Sequence, residues 1–152
     1  MEHTTRETAS RTIHITKLLE APIETVWAVW TSAAHLANWW GPTGFANTIH
    51  ALHLVPGGEW SLTLHGPDGK NYANKSRFVE IIFQRKIVFQ HFNPDYEATI
   101  SFESKETGTL LEWTMLFETP ELLETVVKVF RADEGLRQNV EKLENYIKLK
   151  TP

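Results

Sequence analysis

Between residues 46 and 118 tight turn signals cut the chain into six short segments of strand character, and a long helical stretch follows. No other feature narrows the fold so far. Asn47–Leu54 ends at Pro56-Gly57-Gly58. Glu59–His65 alternates cleanly, with Trp60, Leu62 and Leu64 on one face and Glu59, Ser61, Thr63 and His65 on the other. Gly66-Pro67-Asp68-Gly69 is a hairpin turn, in which Pro presets φ, Asp bonds its own backbone and Gly supplies positive φ. Asn71–Phe83, Lys86–Phe92, Glu97–Glu103 and Thr109–Glu118 complete the series, divided by Asn93-Pro94-Asp95 and Thr107-Gly108. Parallel strands need crossovers of a dozen or more residues, so connections this short dictate an antiparallel meander.

The flanks supply the cover that such a sheet requires. Residues 1–11 are polar and aperiodic, and read as a flexible tail. Thr12–Glu20 alternates as a first strand. Ala21-Pro22 opens a short helix with Val26, Trp27 and Trp30 on its apolar side, and Ser32 caps a second, which Gly41-Pro42 stops. Thr119-Pro120-Glu121 opens a helical region that reaches about Lys150, with Gly135 expected to mark a kink or a break. The order β-α-α-β₆-α describes one α+β domain over residues 12–150, with the long C-terminal helix as the element able to cover the sheet.

Composition limits the chemistry. With 152 residues, 41% hydrophobic and 22% charged, the chain has an ordinary globular make-up. The absence of Cys removes disulfides, thiolate metal sites and thiol nucleophiles. A net charge of −4 gives no footprint for nucleic acid, and no apolar run is long enough to span a membrane; a cytoplasmic protein is expected. Aromatic residues, including six Trp, reach 11%. Four of the six Trp fall between Trp27 and Trp40.

Counting parity along each strand gives an expected inner surface. It comprises Leu52, Trp60, Leu62, Tyr72, Phe78, Phe89, Ile100, Phe102, Trp113 and Met115, with His50, Glu80 and His91 as polar tips, Val126 and Phe130 from the C-terminal region, and Trp39 or Trp40 at one end. Adjacent helical residues diverge by ~100°, so one of Trp39 and Trp40 is expected to pack and the other to form a rim or lid. An apolar, aromatic surface with a few polar groups is what ligand pockets present.

Several of these segments occur together in one known family. Glu20-Ala-Pro-Ile-Glu-Thr-Val-Trp27, Leu36-Ala-Asn-Trp-Trp-Gly-Pro42, Pro56-Gly-Gly-Glu-Trp60, Pro67-Asp-Gly69, Phe78-Val-Glu-Ile81, Gly108-Thr109 and the closing Leu143–Ile147 stand in its order and spacing. Over residues 12 to 150 the chain resembles the activator-of-heat-shock-ATPase-homologue (AHSA-type) family of the START-like SRPBCC superfamily. It departs from the pattern at His53 and Val55, where the family often has an acidic residue and Arg, and at Gly135-Leu136, where it usually has Gly-Trp. The resemblance implies a helix-grip fold, like that of birch-pollen allergens: a curved antiparallel sheet of six to seven strands around the last helix, two short helices at one end, and a cavity between them.

Three functions compete. The first is binding of a small hydrophobic or aromatic molecule (lipid-like, polyketide-like or isoprenoid) in that cavity, with no cofactor. The second is a cavity enzyme of cyclase, dehydratase or hydrolase type, for which His50, Glu80 and His91 are the candidate acid/base groups; their bland alternative, satisfied polar residues, is favoured. No nucleophile elbow or phosphate loop is present. The third, regulation of a chaperone ATPase, follows only from the family name and ranks last, because the eukaryotic co-chaperones of that name resemble larger proteins with a further N-terminal domain. A metal site is not expected: His50 and His53 lie three apart on a strand and face opposite sides, and His3, His14, His35 and His65 are scattered. A homodimer stays open.

Overall fold

The computed structural model describes residues 9–92 and 94–150. Of the expected tail, residues 1–8 lie outside the described residues, while Arg11 is anchored by donating from Nη1 to the Phe117 carbonyl at 2.7 Å.

Seven strands form one antiparallel sheet: β1 (Thr12–Leu19), β2 (Ala46–Leu52), β3 (Glu59–His65), β4 (Asn71–Ile82), β5 (Lys86–Phe92), β6 (Tyr96–Lys105) and β7 (Gly108–Phe117), in the order β1-β7-β6-β5-β4-β3-β2. The meander is therefore unbroken, and the first strand returns to pair with the last, from Thr12↔Leu116 to Leu19↔Thr109. That closure leaves β1 and β2 as opposite edges. The two helices between them, α1 (Ile23–Trp30) and α2 (Ala33–Trp39), connect one edge of the curved sheet to the other. Helices α3 (Pro120–Phe130) and α4 (Ala132–Lys150) complete a helix-grip fold. No described helix is long and apolar enough to cross a membrane.

Local chemistry accounts for the helix ends. The Ser32 hydroxyl accepts from His35 N, and the Thr119 hydroxyl accepts from Leu122 N at 3.0 Å with Pro120 at the first helical position. The C-terminal region is indeed divided, but at Arg131 and not at Gly135. Arg131 adopts a left-handed conformation (φ 54°, ψ 48°), which ends α3, and α4 runs through Gly135, whose N–H donates to the Arg131 carbonyl. A glycine inside a helix costs only about 1 kcal/mol, whereas a left-handed residue cannot continue one.

The core fills the space between sheet and helices. Val26, Trp27, Val29 and Trp30 of α1, Leu36 and Trp39 of α2, and Leu136, Val140, Leu143 and Ile147 of α4 meet the inward row of the sheet. Polar ties fix α4 in place: Lys17 pairs with Glu144 at 3.3 Å, and His35 Nδ1 lies 2.6 Å from the Tyr146 hydroxyl.

Two bulges correct the inward row expected from parity. In β2 the register shifts between Ile49 and Ala51, so that Ile49 and Leu52, three residues apart, both pack against the core. His50 is thereby turned out; it is exposed, with Nε2 2.8 Å from the Thr63 hydroxyl. In β4 the register shifts between Phe78 and Glu80, so Ile81 packs inward and Glu80 pairs with Lys86 at 3.0 Å on the outer face. An inserted residue reverses the phase of everything beyond it.

Two further expected lining residues are not inside. Tyr72 is 42% exposed, its ring near Phe45 and its hydroxyl donating to Asp68. Phe130, the last residue of α3, is 70% exposed because the chain turns away at Arg131.

Candidate functional site: an aromatic cluster around Trp40

The interior expected to hold a cavity is occupied by rings. Trp40 is the hub. Its indole centroid lies 4.6 Å from that of Trp60 and 5.3 Å from that of Trp113, with which it stacks at 22°. Trp39 and Trp30 follow at 5.5 and 5.8 Å and Phe89 at 6.4 Å. Trp30 in turn meets Trp39, Phe102 and Trp113 edge-on, and Trp60 stacks with Phe78. Rings from α1, from the end of α2 and from β3, β5 and β7 thus converge on one side chain. The open clefts lie on the surface; one of about 360 Å³ is bounded by Arg11, Tyr96, Glu97 and Leu116.

Trp39 and Trp40 are both buried, which contradicts the expected split between a packed ring and an outer rim. The ~100° argument assumes two helical residues. Trp40 is not one: it is extended (φ −71°, ψ 132°), just past the end of α2. Extension turns its ring inward beside that of Trp39. The two indoles are held differently. Trp39 Nε1 donates to the Val29 carbonyl at 3.0 Å, pinning α2 to α1, whereas the hydrogen bonds of Trp40 run through its backbone, from its N–H to the Leu36 carbonyl and to its carbonyl from Asn47.

The backbone on either side of Trp40 is held from α4. The Asn139 carboxamide spans Trp40, donating to the Trp39 carbonyl (3.0 Å) and accepting from Gly41 N–H (3.2 Å). On the other side Asn47 Nδ2 donates to the Trp40 carbonyl at 3.1 Å. The following loop is bound by the same helix: Thr43 N–H donates to Gln138, and Lys142 Nζ donates to the carbonyls of Pro42 and Phe45 at 3.2 and 3.0 Å. Partial burial holds the Lys142 ammonium below its ordinary pKa. Gly41 (φ 112°) makes the turn out of Trp40, a conformation open to glycine without strain. Sequence reading missed these holders. The available signal was Asn139, a polar residue set within the apolar stripe Leu136–Val140–Leu143 of α4.

The expected polar tips do not converge. His50 and Glu80 are outside, as described above. His91 is buried, but both ring nitrogens are engaged: Nδ1 donates to the Pro94 carbonyl at 2.8 Å, and Nε2 faces the Asn74 carboxamide at 2.9 Å. Its ring stacks on Tyr96 at 4.6 Å, and burial pushes its pKa below the ordinary histidine value. Burial also raises the Tyr96 phenol. A histidine committed at both nitrogens ties β4, β5 and the following turn together. Among the remaining expected lining residues, Leu62, Ile100, Phe102 and Val126 are buried, and Leu52 and Met115 pack against the core. No group of three or more His, Asp or Glu among the described residues is placed to hold a metal ion.

Residues 20–148 match the family described as "Activator of Hsp90 ATPase homolog 1-like protein". The chain belongs to this family. None of the curated proteins matches it. Among solved structures, a protein from Nitrosomonas europaea is similar at 20% identity with a TM-score of 0.86, covering 93% of this chain and 97% of that one. A protein from Arthrobacter aurescens is similar at 21% identity and a TM-score of 0.87, covering 95% and 90% of the two chains. An AHSA1-like protein from Aeromonas hydrophila is similar at 20% and 0.74, covering 91% and 93%. At these identities the likeness concerns the fold, a START-like scaffold. In this member of the family the interior of that scaffold is closed around Trp40.

Proposed function

We propose that the protein binds a small, apolar, ring-bearing molecule in the interior between the sheet and its helices. The observation that carries this reading is the seat of the Trp40 indole. It is an aromatic-walled slot, with Trp113 stacked at 22° on one face and Trp60 tilted at 58° beside it, filled by a residue that belongs to neither helix nor sheet and is followed by a glycine turn. A ligand ring that takes over the slot gains the stacking surface the indole leaves, and a swing of one loop residue leaves the sheet and the helices unchanged. The cavity of the ligand-bound state is thus the volume Trp40 now occupies. The START-like scaffold of the family supports the same reading.

The test is native mass spectrometry and thermal shift against a panel of bicyclic and tricyclic apolar compounds, on the wild type and on Trp40→Ala. A bound mass with a raised melting temperature, tighter in Trp40→Ala, is the expected result. No adduct and no shift in either protein overturns the reading. A cavity enzyme built on His50, Glu80 and His91 has less support, since His50 and Glu80 lie on the outer face and His91 is engaged at both nitrogens.

A further inference from the structure

The cluster contains more hydrogen-bond donors than it can use. The indole N–H groups of Trp30, Trp60 and Trp113 are buried and have no hydrogen-bond partner. The residues themselves are 3%, 4% and 3% exposed. A buried Trp N–H ordinarily finds an acceptor, and Trp39 in the same cluster does. Three of the four indoles that surround Trp40 are thus unpartnered: Trp60 at 4.6 Å, Trp113 at 5.3 Å and Trp30 at 5.8 Å, with the partnered Trp39 at 5.5 Å.

The composition of the cluster prevents any internal remedy. Its side chains are Trp and Phe, and an indole donates but does not accept. The edge-on ring pairs around Trp30 allow N–H···π contacts at best, which are weak substitutes for an oxygen acceptor. An aliphatic or phenyl core of this size would carry no such cost. The side chain at the hub, Trp40, is itself donor-only, so the slot is filled by a group of matching shape and mismatched polarity.

We infer that the ligand of this site is a planar, fused-ring molecule of about indole size that carries hydrogen-bond-acceptor oxygens, such as a cyclic ketone, quinone or lactone, and that it takes the place of Trp40 and accepts from the indoles of Trp30, Trp60 and Trp113. This rests on the reading of the interior as a ligand site and narrows it: a pure hydrocarbon would fit the slot and leave all three donors unpaired. The selectivity for oxygen follows because a site built of buried donors discriminates against an analogue that lacks the acceptor far more strongly than against one that differs by a methylene.

The experiment uses two isosteric pairs, indane with 1-indanone and tetralin with 1-tetralone. Binding to the wild type and to Trp40→Ala is followed by side-chain ¹⁵N–¹H spectra, in which the six Trp of the wild type give six indole signals and the variant one fewer. Trp40→Phe serves in place of the alanine variant if that one does not fold. After correction for transfer from water to hydrocarbon, the ketones should bind at least tenfold tighter than their hydrocarbons. Indole N–H signals of Trp30, Trp60 or Trp113 should move downfield with the ketones only. Replacing these three in turn by Phe, which retains a ring, should reduce the ketone preference and leave hydrocarbon affinity within about twofold. Equal affinity for ketone and hydrocarbon, or unmoved indole signals with ketone bound, overturns the inferred ligand class while the site itself stands. No binding of either kind to any of the proteins removes the site as well.

Discussion

Asn139→Ala tests whether α4 holds the Trp40 loop. The side chain is 6% exposed and makes two bonds, one on each side of Trp40. Both partners are buried: Trp39 is fully covered and Gly41 nearly so. Removing the carboxamide therefore strands a carbonyl and an N–H away from water, at about 1–3 kcal/mol for each group. Relaxation of the loop and entry of water offset part of this, and the net loss should fall near 2–4 kcal/mol. For a domain of this length 1 kcal/mol corresponds to roughly 2–4 °C, so the melting temperature should drop by about 5–15 °C. Urea unfolding followed by fluorescence gives the free energy, with Asn145→Ala, exposed on the same helix, as a control expected within about 0.5 kcal/mol of the wild type. Acrylamide should also quench the tryptophan fluorescence of the folded variant more effectively, as Trp40 loses its hold. A loss below about 0.5 kcal/mol would falsify the latch, because two buried, geometrically sound bonds cannot be removed so cheaply.

Three other expectations follow from the geometry. Burial lowers the pKa of His91 in the folded protein, so the unfolded chain takes up a proton more readily. The contribution is intact above the ordinary value of 6.5 and is lost as the pH falls below it; urea midpoints between pH 7.5 and 5 should decline in the wild type, and by visibly less in His91→Phe. His50→Ala and Glu80→Gln should each leave stability within about 0.5 kcal/mol, since each removes one contact on the outer face; a larger loss in chemical denaturation would contradict their outward placement. Gly108→Ala should cost more than about 2 kcal/mol, because a Cβ there would stand 2.1 Å from the Leu19 carbonyl oxygen, and a variant as stable as the wild type would show that β1 does not approach β7 so closely.

The fold was legible in the sequence wherever one local rule sufficed. Glu59–His65 and Lys86–Phe92 are strands over those very residues, and Ser32 and Thr119 cap helices as their residue types suggest. The site was legible only in part, because parity is a cumulative count. Two inserted residues, His50 itself in β2 and Val79 in β4, broke the count and put His50 and Glu80 outside, and nothing in either strand's composition marks the insertion. Trp40 eluded the helical argument for a related reason: one residue past a helix end, ψ near 132° sends the side chain where no helical projection would put it. The break at Arg131 was missed because a left-handed arginine is rare, and Gly135 nearby offered a more conventional candidate. Asn139 is a case of tertiary position deciding meaning: the same amide on an exposed face would be a solvated side chain.

The latch also sets the scale on which a ligand could act. For Trp40 to leave its slot, the bonds from Asn139 to Trp39 and Gly41 and that from Asn47 to Trp40 have to open or shift. At about 1 kcal/mol net for each, opening costs roughly 3 kcal/mol, and the receptive form is about one molecule in 150. The measured affinity of a ligand would be weakened by that factor relative to its affinity for the open form. Asn139→Ala removes two of the three bonds, so the same variant that destabilises the fold should bind 1-indanone about tenfold or more tightly. Stability and affinity would then move in opposite directions upon one substitution. That pairing separates a latch from a purely structural amide: deletion of the latter loosens the core and weakens binding along with stability. Tighter binding in a less stable protein is the outcome that ties α4 to the admission of ligand.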